Sequence, residues 1–478
     1  MTKKEYDIIV IGAGSAGLSI CLFMAKAGFK TLVIVKSDKD IGGECLNDGC
    51  VPSKALIHVS RIVHNAKLAG EFGMQVNGQP DIKKAIGYVY KKQEIIRVHE
   101  NAKWLKEQGV DVVLGEGKFS GKDVVIVNEK KYTAKKIVLA TGSKPRKLKV
   151  PGVELVNYFD NENIFHINDL PGRFLMVGGG PISIELGQAL NRLGSEVTVI
   201  DKGDRILGHD DEVVAGILLE RLKEEGLKFH FNVSIEKFTS ANEAVLKHKN
   251  GDPFTQTFDA VFAGIGRELI LEPLQLSLAG IETKEDKIVK DKYLRTTNKN
   301  IFVCGDIAGD LMFSHAAEFQ ARIILNNLFS PLKKKLNNDH MSWVTFTEPE
   351  VATFGLNEKQ LSQRTIKHIK LEESFEDDDR AITDNYRYGK AIMYISEKSW
   401  FKRQVILGGT MIAPNAGELI QELILANTSG LSIDAIFNKI YPYPVASRIN
   451  QKVILGYKQQ SLTDFIKKLL RITFKIFN

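Results

Sequence analysis

The stretch Ile41–Lys54 reads IGGECLNDGCVPSK. Cys45 and Cys50 are separated by four residues, behind Gly42-Gly43 and ahead of Pro52-Ser53-Lys54. Two thiols this close along a chain can close a disulfide where the backbone bends suitably. Gly42, Gly43 and Gly49 supply that freedom. A helix beginning nearby would favour thiolate over thiol at its N-terminus. Two unrelated buried cysteines are the plainer alternative, but the spacing and the glycines favour a redox-active dithiol.

The bulk composition narrows the setting. The chain has 478 residues, 44% of them hydrophobic, and four cysteines, Cys21, Cys45, Cys50 and Cys304. Its length predicts roughly three domains. Four cysteines are too few for a secreted disulfide scaffold of this size, so a reducing cytoplasm with one catalytic pair is expected. No apolar run reaches the roughly 20 residues of a membrane span. Met1 to Lys4 lead straight into an apolar strand, so no signal peptide is expected. The net charge of +7 is modest, and the acidic run Glu372 to Asp379 reads as solvated surface. Nothing resembles a nucleic-acid module, and no resident metal site is expected.

Tyr6 to Ile11 (YDIIVI) is an apolar run suited to a buried parallel strand. It enters GAGSAG, in which Gly12, Gly14 and Gly17 form a G-x-G-x-x-G turn, followed by a helical pattern to Gly28 and a second strand, Thr31 to Val35. This order marks a dinucleotide site whose pyrophosphate meets a helix N-terminus. One element is missing. Position 23 after Gly12 is Val35, where an acid normally binds the ribose hydroxyls. Ser37 and Asp38 are the candidate substitutes.

Taken together, these features make the chain resemble the flavoprotein disulfide reductases, the family of dihydrolipoamide dehydrogenase, glutathione reductase and mercuric reductase. The resemblance implies FAD in the first site, with a Cys45–Cys50 disulfide against the isoalloxazine ring. Gly43 and Lys54 of the redox stretch belong to that site by the same likeness. Ala140-Thr141-Gly142 matches the second FAD-domain signature. Cys304-Gly305-Asp306 matches the late one, whose Asp306 meets the ribityl chain, and His315 to Arg322, including Ala316, continues it.

A second nucleotide motif follows the strand Phe174 to Val177. In GGGPISIE, Gly178 and Gly180 fill the first two glycine positions, and Ser183 stands at the third, where it is expected to loosen helix–strand packing slightly. Position 23 after Gly178 is Asp201, an acid that hydrogen-bonds the ribose of NAD and repels the 2′-phosphate of NADP. NAD(H) is therefore the favoured nucleotide, with Lys202 and Arg205 keeping NADP(H) open. By resemblance Glu185 pairs with Lys54 near the flavin, and FAGIGR (Phe262 to Arg267, with Gly266) closes this domain.

The fold class expected is α/β, with two Rossmann-like domains and an α+β C-terminal dimerisation domain. The expected bounds are 1–150 and 271–335 for FAD, 151–270 for NAD(P), 336–460 for the interface and 461–478 for a tail. Trp343 to Gly355 opens the interface domain, and helical patterns follow at Glu418 to Asn427 and Ile433 to Ile440. The resemblance implies a homodimer whose active sites borrow residues from the partner subunit. The family's reductases for small disulfides place a histidine, and a glutamate five residues later, where this chain has Tyr443 and Arg448. A tyrosine with a pKa near 10 is a poor proton acceptor at neutral pH. Mercuric reductases also place tyrosine there, but they carry a C-terminal cysteine pair, and the last cysteine here is Cys304. The acceptor thus stays open among a small disulfide, a quinone and a metal ion, with a non-catalytic redox sensor as the alternative of another class.

The tail, DFIKKLLRITFKIFN from Asp464 to Asn478, is basic and amphipathic. At 100° per residue Lys467, Lys468, Arg471 and Lys475 share an arc of about 100°. Such a helix suits an anionic membrane surface at the inner face of the membrane, or docking on the protein's own body.

Overall fold

The computed structural model describes residues 4–399, 401–460 and 462–478. Met1–Lys3 and Ser461, at the ends of the expected N-terminal lead and tail, lie outside the described residues. The chain divides into two compact units, Met1–Gly178 with Ala189–Ile200 and Val233–Asn337, and Gly179–Gln188 with Asp201–Asn232 and Asn338–Asn478.

In the first unit the apolar run at Tyr6–Ile11 becomes the central strand of a seven-stranded sheet. Thr31–Val35 and then Val110–Leu114 lie on one side of it, parallel to it. Lys130–Leu139, Val124–Val127 and Lys118–Gly121 lie on the other, and Ile301–Val303 also pairs with Lys130–Leu139. The strand order therefore reverses direction at Tyr6–Ile11, and the crevice at the carboxyl end of this strand is where such sheets bind ligands. Ile8, Ile9 and Val10 are fully buried, as are Leu32, Val33 and Val138, so the parallel strands read as unbroken apolar runs for the reason that both faces are covered. A second parallel sheet runs Glu196–Asp201, Arg173–Val177, Ala260–Ala263, Tyr158–Phe159.

The second unit is built on an antiparallel sheet in the order Ser342–Thr345, Glu350–Gly355, Ile406–Ala413, Lys390–Ser396, His368–Ser374. The helical pattern expected at Glu418 to Asn427 is split into Ala416–Leu419 and Gln421–Ser429, and the next helix is Ile433–Phe437. Together with Ile449–Gln460 they contribute to one apolar core that includes Phe354, Met393, Leu423 and Ile454. Asp210 ties the loop after Asp201 to this sheet by accepting from Trp343 Nε1 (2.7 Å) and Thr353 Oγ1 (2.8 Å).

The helix after the second glycine motif runs Pro181–Arg192. Ser183 is fully buried, and its Oγ lacks a hydrogen-bond partner. A buried hydroxyl without a partner carries its desolvation cost uncompensated. Ser183→Ala is therefore expected to raise stability by about 1 kcal/mol, read as a higher midpoint in chemical denaturation. A lower midpoint would mean that the hydroxyl is serving a contact of its own.

Candidate functional site

The first unit gathers its site around bare backbone. Gly12 has φ +105°, and a Cβ there would stand 2.2 Å from the Ala140 carbonyl oxygen, so only glycine lets the 140–142 segment close on the turn. Gly43 has φ +61°, and a Cβ on it would stand 2.6 Å from Gly14 Cα. The glycine turn and the start of the redox stretch thus meet backbone to backbone. Gly305 packs against Ala16 and Ala317, which brings Asp306 and the buried Ala316 to the same place. The helix Ser15–Lys26 begins at Gly14 with no side chain capping its amides, which leaves donors for a pyrophosphate. Gly12, Gly14, Gly17, Gly43, Thr141, Gly142, Asp306 and Ala316 all belong to this unit, and this cradle fits FAD. Gly266, also here, has φ +99°, and its carbonyl accepts from Arg146 N at 2.9 Å.

The redox stretch folds as two helices, Gly43–Asn47 and Cys50–Leu68, so Cys50 is the first residue of a 19-residue helix. Both sulfurs are free thiols, and Cys45 is hydrogen-bonded to Cys50. That bond, above all, pulls the Cys50 thiol down to about 6. Burial opposes the shift, while Ser314 (Oγ 3.5 Å from Sγ) and the Lys54 ammonium add to it. The same bond and burial push Cys45 up. Both shifts favour the proton on Cys45 and the negative charge on Cys50, at the positive end of a helix.

Glu44, between Gly43 and Cys45, is held by both terminal nitrogens of Arg267. Arg267 Nε donates to Ser143 Oγ (2.7 Å), and Ser143 Oγ donates to Asp306 Oδ2 (2.5 Å). Asn161 Nδ2 donates to Glu44 Oε1 at 2.9 Å. Burial raises the Glu44 carboxyl to about 7, and Arg267 works against that rise. Sequence reasoning did not single out Glu44, Ser143 or Ser314 as site residues. Each had a positional signal: Glu44 lies between Gly43 and Cys45, Ser143 directly follows Ala140-Thr141-Gly142, and Ser314 directly precedes His315 to Arg322.

Val35 is buried at the end of its strand, as expected for an apolar residue there. The candidate substitutes hold local partners: Ser37 Oγ donates to Asp40 (2.7 Å), and Asp38 Oδ1 accepts from Ala102 N (2.7 Å). Glu116, ion-paired with Lys36 at 3.1 Å, brings another carboxylate close to Val35.

At the second glycine turn, Gly178 lies in the first unit, and a Cβ there would meet the Gly264 carbonyl oxygen at 2.5 Å. Gly180, Glu185 and Asp201 lie in the second unit. Asp201 accepts from Gly179 N and Gly203 N, both at 2.5 Å, and so shapes its own turn. Arg205 spends its guanidinium on the carbonyls of Leu207 (3.0 Å), Gly208 (3.1 Å) and Asp210 (3.0 Å). Glu185 is buried and accepts from Phe346 N at 2.8 Å. Tyr443 OH donates to Asp379 Oδ2 at 2.8 Å, and the Arg448 guanidinium lies 5.8 Å from the Tyr443 ring centre. The acidic run read as solvated surface therefore supplies Tyr443 with a carboxylate, which raises the tyrosine above its ordinary value. No group of three or more metal-ligating side chains occurs among the described residues.

Removing one partner from this half-buried ion pair leaves the other charge partly desolvated and unpaired. Arg267→Ala is expected to cost about 1–3 kcal/mol at pH 8. Without Arg267 the Glu44 carboxyl in the folded state rises further above its unfolded value, so stability is retained while it is protonated and lost as pH climbs. The variant's melting temperature should therefore fall more steeply than the parent's between pH 6 and pH 8. Glu44→Gln in the Arg267→Ala background should flatten that slope; an unchanged slope would place the titration elsewhere.

Comparison with known proteins identifies the family. Residues 6–321 match the family described as pyridine nucleotide-disulphide oxidoreductase, and residues 341–453 match its dimerisation domain. The chain is 32% identical over 467 residues to a dihydrolipoyl dehydrogenase of Mycoplasma genitalium, covering 95% of this chain and 99% of that one. A mercuric reductase of Lysinibacillus sphaericus is 29% identical over 447 residues, covering 93% and 81%. The fold is shared with the HOCl-induced flavoprotein disulfide reductase from Escherichia coli, at a TM-score of 0.82 and 23% identity, over 94% of this chain and 99% of that one. The chain thus belongs to the pyridine nucleotide-disulphide oxidoreductases, as an FAD-dependent enzyme that draws electrons from NAD(P)H and forms a homodimer.

Proposed function

We propose that this enzyme moves electrons from NADH to the Cys45–Cys50 disulfide, and from the resulting dithiol to a small acceptor that takes up protons as it is reduced. In this reading residues 1–150 and 271–335 bind FAD, 151–270 bind the nucleotide and 336–460 pair the subunits. The observation that carries the reading is the hydrogen-bonded Cys45–Cys50 pair, with Cys50 opening the helix Cys50–Leu68. Bound FAD supplies the electron relay between NADH and the disulfide. One hydride equivalent added to the disulfide breaks the S–S bond and leaves one thiol and one thiolate. Cys45 keeps the proton, and Cys50, beside Lys54 and Ser314, keeps the charge. Cys45 then serves as the interchange thiol toward the acceptor, passing its proton to the Cys50 thiolate as it attacks.

Tyr443, bonded to the Asp379 carboxylate, holds its proton more firmly than a free tyrosine. A tyrosine that keeps its proton cannot take one from a dithiol, and Arg448 offers no base either, which favours a disulfide or quinone being reduced over a dithiol being oxidised. A metal ion as acceptor would have only the dithiol to meet it, since no cysteine follows Cys304. The same reading places the enzyme peripherally at a membrane surface, through its C-terminal helix.

Anaerobic NADH titration tests the relay. Two-electron reduction should produce a long-wavelength absorbance band from the Cys50 thiolate against the flavin. The band should be absent in Cys50→Ser and should fade as pH falls through about 6, where Cys50 gains a proton. Complete flavin reduction without the band would sink the proposal.

Nucleotide choice rests on Asp201 and on the prior commitment of Arg205 to its own loop. kcat/KM should favour NADH over NADPH by about tenfold or more. Asp201→Asn should narrow that ratio, and Arg205→Ala should lower thermal stability while leaving the ratio alone. A loss of NADPH turnover confined to Arg205→Ala would show that this arginine serves a 2′-phosphate instead.

A further inference from the structure

We propose that the helix Asp464–Phe477 lies flat on an anionic phospholipid surface and holds the enzyme there. This names the lipid class for the peripheral placement proposed above and does not depend on the electron route. The helix starts at Thr463, whose side chain accepts from Ile466 N, and none of its residues is buried. Phe465, Phe474, Ile476 and Phe477 are each about two-thirds exposed or more, at 76%, 69%, 69% and 81%. An isolated helix of 14 residues is marginal in water, so its apolar face calls for a cover.

Charge decides what covers it. At 100° per residue, Lys467, Lys468, Arg471 and Lys475 fall with Asp464 and Asn478 in an arc of about 100°. Apolar residues and Thr473 fill the opposite arc of about 200°. Four cations against one carboxylate, flanking a continuous apolar face, complement a sheet of phosphate headgroups over acyl chains. At 1.5 Å per residue the helix is about 21 Å long, short of the roughly 30 Å hydrocarbon core, and no described helix is long and apolar enough to cross a membrane. The geometry fits a helix in the interface plane, with the cations at headgroup level and the phenylalanines below them.

The test is flotation of the purified holoenzyme with vesicles of phosphatidylcholine alone, or with about 30% phosphatidylglycerol. Binding to the anionic vesicles should exceed binding to the neutral ones by about a hundredfold and should weaken steeply as salt is raised. A chain ending at Leu462 should lose this binding while keeping its NADH-to-dye activity, which certifies its fold. Replacing the four cations by glutamine should abolish the lipid preference, and Phe474→Asp with Phe477→Asp should release the protein with its charge pattern intact. Equal binding to both vesicle types would overturn the lipid class and leave the peripheral placement standing. No binding to either would overturn both. A tail-dependent shift to a larger oligomer, with no vesicle binding, would assign the apolar face to a second copy of the chain.

Discussion

The site in the first unit depends on a contact between two stretches of bare backbone. Gly43 approaches Gly14 so closely that a methyl group at position 43 would stand 2.6 Å from the Gly14 Cα. That approach sets the start of the short helix Gly43–Asn47 against the N-terminus of Ser15–Lys26. Cys45, Asp48 and the first turn of Cys50–Leu68 follow from it in order. A close-packed interior cannot absorb an extra atom there without moving one helix from the other. The dithiol and the pyrophosphate cradle are therefore placed by one steric constraint, and neither could shift without the other.

This closeness creates an electrostatic difficulty that Arg267 resolves. Glu44 puts a half-buried carboxylate beside the helix N-terminus that is suited to a pyrophosphate. Left alone, it would repel the cofactor's phosphates and carry its own desolvation cost. The bidentate guanidinium cancels the charge, and the Ser143 bond extends the network to Asp306. One arginine thus joins the redox stretch to two loops that arrive from distant parts of the chain.

The sequence exposed most of what is local. The unbroken apolar strands, both glycine turns, the helix at Cys50 and the amphipathic tail were all readable, because each is encoded by residues a few positions apart. What escaped is long-range or a matter of degree. Glu44 and Arg267 are 223 positions apart, and neither residue type signals the other. Asp379 looked like one more solvated acid in an acidic run, and only folding brings it to Tyr443. Ser183 was expected to loosen its helix slightly; instead it is fully buried, and what it leaves is a hydroxyl without a partner. Arg205 keeps a 2′-phosphate contact open in sequence, and its carbonyl partners at Leu207, Gly208 and Asp210 appear only in the folded loop.

The distribution of protons separates the two ends of the proposed relay. On the input side nothing need be deprotonated, because a hydride delivered to a disulfide already yields one thiol and one thiolate. Cys50 takes the thiolate because it begins a helix, faces Lys54 and accepts from Cys45. On the output side Cys45 begins as the protonated partner, raised by that same hydrogen bond and by burial. The position where small-disulfide reductases keep a histidine holds Tyr443, which Asp379 makes a still weaker acid. A substrate that arrives as a dithiol would need a base to remove its proton, and neither Tyr443 nor Arg448 can act as one at neutral pH. An acceptor that consumes protons brings none that must be removed, and in the proposed relay the Cys45 proton passes to the Cys50 thiolate as Cys45 attacks. In the proposed relay, Tyr443 and Arg448 in place of a histidine and a glutamate thus favour an acceptor being reduced over a dithiol being oxidised.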